Sequence, residues 1–235
     1  MTLHHRLSAL SLTAALVLTP LLAGASTFQL DLLSGYFGSN GSTSATISDS
    51  TIPLTENVSA GGFAATGNLH GTGTENFTAW CLDIVTAMKT SSVYKTTVTP
   101  FQNLISASRI TDITRLFDTG YSTLNLANNT DSAGFQLALW ELMYENAPTY
   151  DLISGNFQAT SAALGKATTL LGNLSGPITQ SYKLTWLQSN DPHVGGGHYS
   201  QNLVTASQVP LPAGGLLLAA AMGGLAALRR RKSRI

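Results

Sequence analysis

This sequence has one cysteine, Cys81, so no internal disulfide can form and the chain is not a disulfide scaffold. Charge is scarce as well, at 10% of residues, and its sign is uneven along the chain. Of the 12 Lys and Arg residues, Arg6 lies near the start, and Arg229, Arg230, Arg231, Lys232 and Arg234 lie at the end. Residues 26–208 hold all 12 Asp and Glu residues against six basic ones, a balance of about −6. A nucleic acid is therefore not expected as a partner. No phosphate-binding glycine loop or dinucleotide fingerprint occurs, and nothing around Cys81 spells a thiol-protease motif. His193 and His198 flank a Gly195-Gly196-Gly197 loop with no third ligand clustered beside them, and His70 stands apart. These absences set the expectation of a protein that is not an enzyme and holds neither metal nor cofactor.

What the chain does have is 43% hydrophobic residues and an abundance of Gly, Ser, Thr and Asn, which suits an exported, strand-rich protein with one core. Residues 1–25 read as a secretory signal peptide. His4, His5 and Arg6 come first, then the apolar run 7–22, then Ala23-Gly24-Ala25 as a small-x-small cleavage site. Residues 209–235 are also tripartite: Val209-Pro210-Leu211-Pro212-Ala213, an apolar stretch, and the basic cluster Arg229, Arg230, Arg231 and Lys232. Counted from Leu211 to Leu228 the apolar run is 18 residues, at the short end of a transmembrane helix. The basic cluster is expected to stay in the cytoplasm and leave residues 26–208 outside as one extracytoplasmic domain. This ending resembles the VPLPA-CTERM sorting signal, a variant of the PEP-CTERM signals of Gram-negative bacteria. The resemblance implies processing by an exosortase, a membrane protease that cuts near the Pro-containing motif. The protein would then be anchored in the inner membrane by its C-terminal helix and pass afterwards to the cell surface or extracellular matrix. A plain tail anchor predicts the same topology without cutting.

Between these ends the chain changes period twice. Phe28, Leu30 and Leu32 alternate with Gln29 and Asp31, as in a half-buried strand. Further short strands are expected at 45–47, 51–54 and 61–69. Residues 76–85, NFTAWCLDIV, are apolar on both faces and read as a central strand, with Phe77, Ala79, Cys81 and Asp83 on one side. A strand at 93–98 follows. Ile110, Ile113, Leu116 and Phe117 then mark a helix ending near Gly120, and residues 131–145 mark a second, capped by Asp131 or Ser132. A third helix is expected at 160–171, and strands at 181–187 and 200–205 close the body. Strands, helices, strands in that order predict an α+β domain, a mainly antiparallel sandwich or barrel with a two- to three-helix insertion. Glu141 and Glu145, one turn apart, read as a solvated face.

Gln136 breaks the pattern of the second helix. It falls on the same stripe as Leu139, Trp140 and Met143, so its carboxamide must find buried partners or do chemistry. Cys81 lies in the apolar strand, and a thiolate can attack a glutamine carbonyl and expel ammonia, leaving an internal thioester. The reaction needs the two groups in contact and shielded from water. The product is an electrophile that an amine on another surface can capture as a permanent amide. Equally, Cys81 can be a buried small hydrophobe and Gln136 a hydrogen-bonding strut.

Phe135-Gln136-Leu137-Ala138-Leu139-Trp140 resembles the Gln motif of bacterial thioester domains, and Trp80-Cys81-Leu82-Asp83 occupies the place of their cysteine motif. The resemblance covers about residues 77–144. It implies a Cys81–Gln136 thioester surrounded by Trp80, Asp83, Phe135, Ala138 and Trp140, used for covalent adhesion to a surface protein or polysaccharide. The best-known members stand on Gram-positive walls behind a different C-terminal signal. The alternative expectation is a non-reactive structural component of an exopolysaccharide or biofilm matrix.

Overall fold

The alternation at the start of the body becomes strand β1 (Thr27–Leu32), where Phe28 and Leu30 are buried between exposed Thr27, Gln29 and Asp31. In the computed structural model, which describes residues 26–97, 105–145, 149–190 and 200–209, nine strands and three α-helices are formed among the described residues. After β1 come β2 (Ser42–Asp49), β3 (Leu54–Gly61), β4 (Phe63–Gly67), β5 (Glu75–Cys81) and β6 (Ser91–Thr97). Then follow α1 (Ala107–Gly120), α2 (Asn129–Tyr144), β7 (Phe157–Ser161), α3 (Leu164–Gly172), β8 (Tyr182–Ser189) and β9 (Leu203–Gln208).

Six strands close into a barrel in the order β1-β4-β5-β9-β8-β6, every pair antiparallel, so the barrel has no free edge. The register Cys81↔Leu203 and Ala79↔Thr205 gives these residues one parity. Trp80↔Val204 has the other, and Trp80 packs on Phe135 of α2 with ring centroids 4.5 Å apart. β5 is thus apolar on both faces because one face fills the barrel and the other lies under the helices. A second sheet, β3-β2-β7, is also antiparallel and packs on α2. The domain is α+β and mainly antiparallel, as its periodicity predicts. No helix among the described residues is long and apolar enough to cross a membrane.

α2 is buried on all sides from Ser132 to Leu142, as expected of a helix with apolar residues around its whole circumference. Gly134 makes room for α3, since a Cβ there would stand 2.6 Å from Lys166 Cγ. The cap differs from expectation. Asn128, not Asp131 or Ser132, accepts the Thr130 and Asp131 N–H groups at 2.9 and 3.0 Å. Asp131 instead accepts from Asn125 N–H and pairs with Lys166 at 3.0 Å. At the other end of α2, the Arg109 guanidinium donates to the carbonyls of Met143 and Glu145 and satisfies acceptors that a helix leaves open.

Three further expectations are corrected. Residues 51–53 form a turn and Leu54 opens β3, because Asp49 Oδ1 accepts from Thr51 N–H at 2.7 Å and Ile52 N–H at 3.1 Å. The third helix begins only at Leu164. Thr160 and Ser161, the first two residues of the expected helix, belong to β7, where pairing with β2 overrides the helical spacing. Glu141 and Glu145 are buried, not solvated: Glu141 Oε1 accepts from Asp151 N–H at 2.7 Å, and Glu145 Oε2 from Asn156 N–H at 2.6 Å. Together they hold residues 151–157 against the end of α2.

Two predictions follow from these anchors. The Asp118 carboxylate accepts four backbone N–H groups, those of Thr179, Gln180, Ser181 and Tyr182, at 2.9 to 3.3 Å, and so fixes the approach to β8. Asp118→Ala leaves these donors to water and is expected to cost about 2 kcal/mol in chemical denaturation. Burial, with Glu145 and Asp151 nearby, pushes the Glu141 carboxyl up to about 7 from 4.5. The folded protein therefore binds more protons than the unfolded chain between these values, and stability falls as pH rises through that window. Glu141→Gln is expected to flatten this fall, raising stability at pH 8 by on the order of 2 kcal/mol while changing little at pH 4. Denaturation midpoints at the two pH values provide the check.

Candidate functional site

β5 ends where its partner β4 has not yet begun. Phe63, the first residue of β4, pairs with Ala79, so nothing in β4 stands opposite Cys81. On the other side, Leu82 N–H donates to Asn202 O at 2.9 Å, which turns the Cys81 N–H and C=O away from β9 and towards the missing neighbour. The Gln136 carboxamide fills that place. Its Oε1 accepts from Cys81 N–H at 3.0 Å and its Nε2 donates to Cys81 O at 2.8 Å, so one side chain completes a rung of the ladder. Both residues are about 1% exposed. An unpaired peptide there would cost about 1–3 kcal/mol per group.

The Cys81 thiol lies beside this bracket and is also engaged. It donates to Asp83 O at 2.8 Å and accepts from Asp83 N–H at 3.3 Å. Burial pushes the thiol up to about 12; the Asp83 N–H opposes the rise, its carboxylate adds to it, and the Trp140 indole lowers it slightly. Near neutral pH the sulfur therefore keeps its proton.

Ser132, Gln136, Trp140 and Tyr144 recur every four residues and form one stripe along α2. Ser132 Oγ accepts from Gly62 N–H at 3.0 Å. Gln136 brackets Cys81, Trp140 approaches its sulfur, and Tyr144 OH accepts from Ile84 N–H at 3.1 Å. Burial holds the Tyr144 hydroxyl above the ordinary phenol range, so it remains a neutral group. The stripe stitches the helix to the main chain from Gly62 to Ile84, where the barrel rim lacks ladder partners.

Of the residues expected at the site, Cys81, Gln136, Asp83 and Trp140 come together. Asp83 lies beyond the end of β5, not on the face of the strand, and acts through its backbone, while its carboxylate caps Val85 and Thr86 N–H. Trp80 and Phe135 pack on each other with tilted rings in the core on the opposite face, and Ala138, fully buried, is packing. Ser132 and Tyr144 were not foreseen as polar contacts, although their four-residue spacing from Gln136 is visible in the sequence. Val209 is exposed at the end of the described chain. Residues 1–25, expected as a signal peptide, Pro210, Leu211, Pro212, Ala213, the basic cluster 229–232, His193 and His198 lie outside the described residues. Among the described residues no group of three His, Cys, Asp or Glu side chains could hold a metal ion.

The sequence matches no protein-family model, and no curated protein matches it. Among solved structures it is similar to an N-terminal thioester domain of a surface protein from Clostridium perfringens, at 12% identity and a TM-score of 0.40, over 72% of this chain and 99% of that one. The same domain with a cysteine replaced by alanine gives 13% identity and a TM-score of 0.41, over 71% and 99% of the two chains. So slight a likeness carries no weight for chemistry, which rests on the arrangement around Cys81 in this chain.

Proposed function

We propose that the Cys81 sulfur and the Gln136 carboxamide carbon form an internal thioester, with which this exported bacterial protein attaches itself covalently to amine or hydroxyl groups on a partner surface. The observation that carries the reading is the double hydrogen bond between the Gln136 carboxamide and the Cys81 backbone. It brings the electrophilic carbon to the same residue as the nucleophile, in a site closed to water. Rotation about Cys81 Cα–Cβ takes the sulfur from Asp83 O towards that carbon. The sulfur–carbon bond forms, the carbon–nitrogen bond breaks, and the thiol proton leaves with ammonia. Cys81 N–H, already on Oε1, is the donor for the negative charge that develops on that oxygen.

Sorting belongs to the same proposal and is supported by sequence. The Val209-Pro210-Leu211-Pro212-Ala213 motif, the short apolar run and the Arg-rich end fit recognition by an exosortase-type membrane protease, with the domain delivered to the cell surface or matrix. The target, a surface protein or polysaccharide, is met outside the cell. A second reading keeps the protein as a non-reactive component of an exopolysaccharide or biofilm matrix. What favours it is that the Cys81 thiol and both polar atoms of the Gln136 carboxamide already have partners, as a structural strut requires.

Intact mass separates the two. The thioester predicts a wild-type chain lighter by one ammonia than its sequence, gaining one methylamine on treatment, with neither effect in Cys81→Ala or Gln136→Ala. A wild-type mass equal to the sequence, with a thiol that alkylates on unfolding alone, leaves the strut.

A further inference from the structure

The Trp140 indole N–H is an orphan. Trp140 is 4% exposed, and its Nε1 has no hydrogen-bond partner among the described residues. A buried N–H without an acceptor costs about 1–3 kcal/mol and calls for a reason. Two observations say where this donor is aimed. Trp140 follows Gln136 by one turn on the stripe that faces the end of β5, and its indole approaches the Cys81 sulfur closely enough to favour the thiolate. Yet it makes no bond to the neutral thiol, which turns to Asp83 instead. A thiol sulfur is a poor acceptor, whereas a thiolate is a strong one.

We propose that Trp140 is a catalytic residue whose indole N–H receives the Cys81 sulfur as it leaves with negative charge when a primary amine opens the thioester. This inference rests on the thioester reading and adds to it a device for releasing the leaving group. In the step, the amine nitrogen bonds to the Gln136 carbonyl carbon and the carbon–sulfur bond breaks. The electron pair stays on sulfur, and the proton lost by the amine ends on the thiolate. The surroundings of Cys81 disfavour a bare thiolate, so a sulfur leaving without a donor would raise the barrier. Asp83 N–H is the other donor in place, at 3.3 Å, and the Asp83 carboxylate is the nearby negative charge that opposes the thiolate. An orphan donor that gains its acceptor only as the bond breaks lowers the transition state without stabilising the resting state.

The test uses the full-length wild-type chain and Trp140→Phe, which keeps an aromatic ring and removes the N–H. Mass first records whether each is short of one ammonia, and thiol release is then followed on adding methylamine. The expected result is that both form the thioester and Trp140→Phe opens about tenfold more slowly. Alkylation of the opened protein against pH is expected to show a higher thiol titration midpoint in Trp140→Phe. Equal opening rates and equal midpoints would overturn the inference while the thioester stands. A wild-type chain of full mass would remove the thioester itself, and the two native alkylation profiles would still judge whether the indole favours the thiolate. Should Trp140→Phe not fold, wild-type protein labelled with 15N in its three Trp residues serves. One indole N–H resonance is expected to move downfield on opening at alkaline pH, and three unmoved resonances would count against the proposal.

Discussion

The hydrogen-bonded bracket between Gln136 and the backbone of Cys81 is the constraint on which the rest of this domain turns. Burying a carboxamide and a peptide unit is tolerable only if each atom finds a partner, and here the two satisfy one another. That requirement fixes the depth and rotation of α2 against the barrel. Ser132 on Gly62 and Tyr144 on Ile84 then fix its tilt. α1 and α3 pack around a helix already positioned, and Arg109 closes its C-terminal end.

The same bracket serves an inert strut and a reacting pair alike. A strut and a reacting pair need the same contact, the same exclusion of water and the same donor on the carbonyl oxygen. They differ in where the sulfur points and in whether anything stabilises its charge. The thiol lies on Asp83 with its proton retained, and the orphan indole of Trp140 is the feature that a strut alone leaves unexplained.

Much of this was legible in the sequence. The apolar faces of β5 and the buried position of Gln136 on α2 follow from residue spacing, and so does the mixed, mainly antiparallel fold. What could not be read depends on partners remote in sequence. β7 is not expected from local spacing, because its pairing with β2, over a hundred residues earlier, outweighs a local helical pattern. Glu141 and Glu145 look like a solvated pair until residues 151–157 fold back over them. Asn128 outcompeted Asp131 as the cap because Asp131 was drawn to Lys166 and Asn125. Ser132 reads locally as a cap; its contact with Gly62, like that of Tyr144 with Ile84, depends on where β4 begins, which no local pattern reveals.

The antiparallel pairing of β5 with β9 also has a mechanical consequence. The Cys81–Gln136 junction lies at one end of this ladder, beside Leu203, and Val209 leaves at the other. A tether pulling through Val209 against a load held at the junction drags the two strands lengthwise past each other. Their hydrogen bonds then share the force together and do not open one after another like a zip.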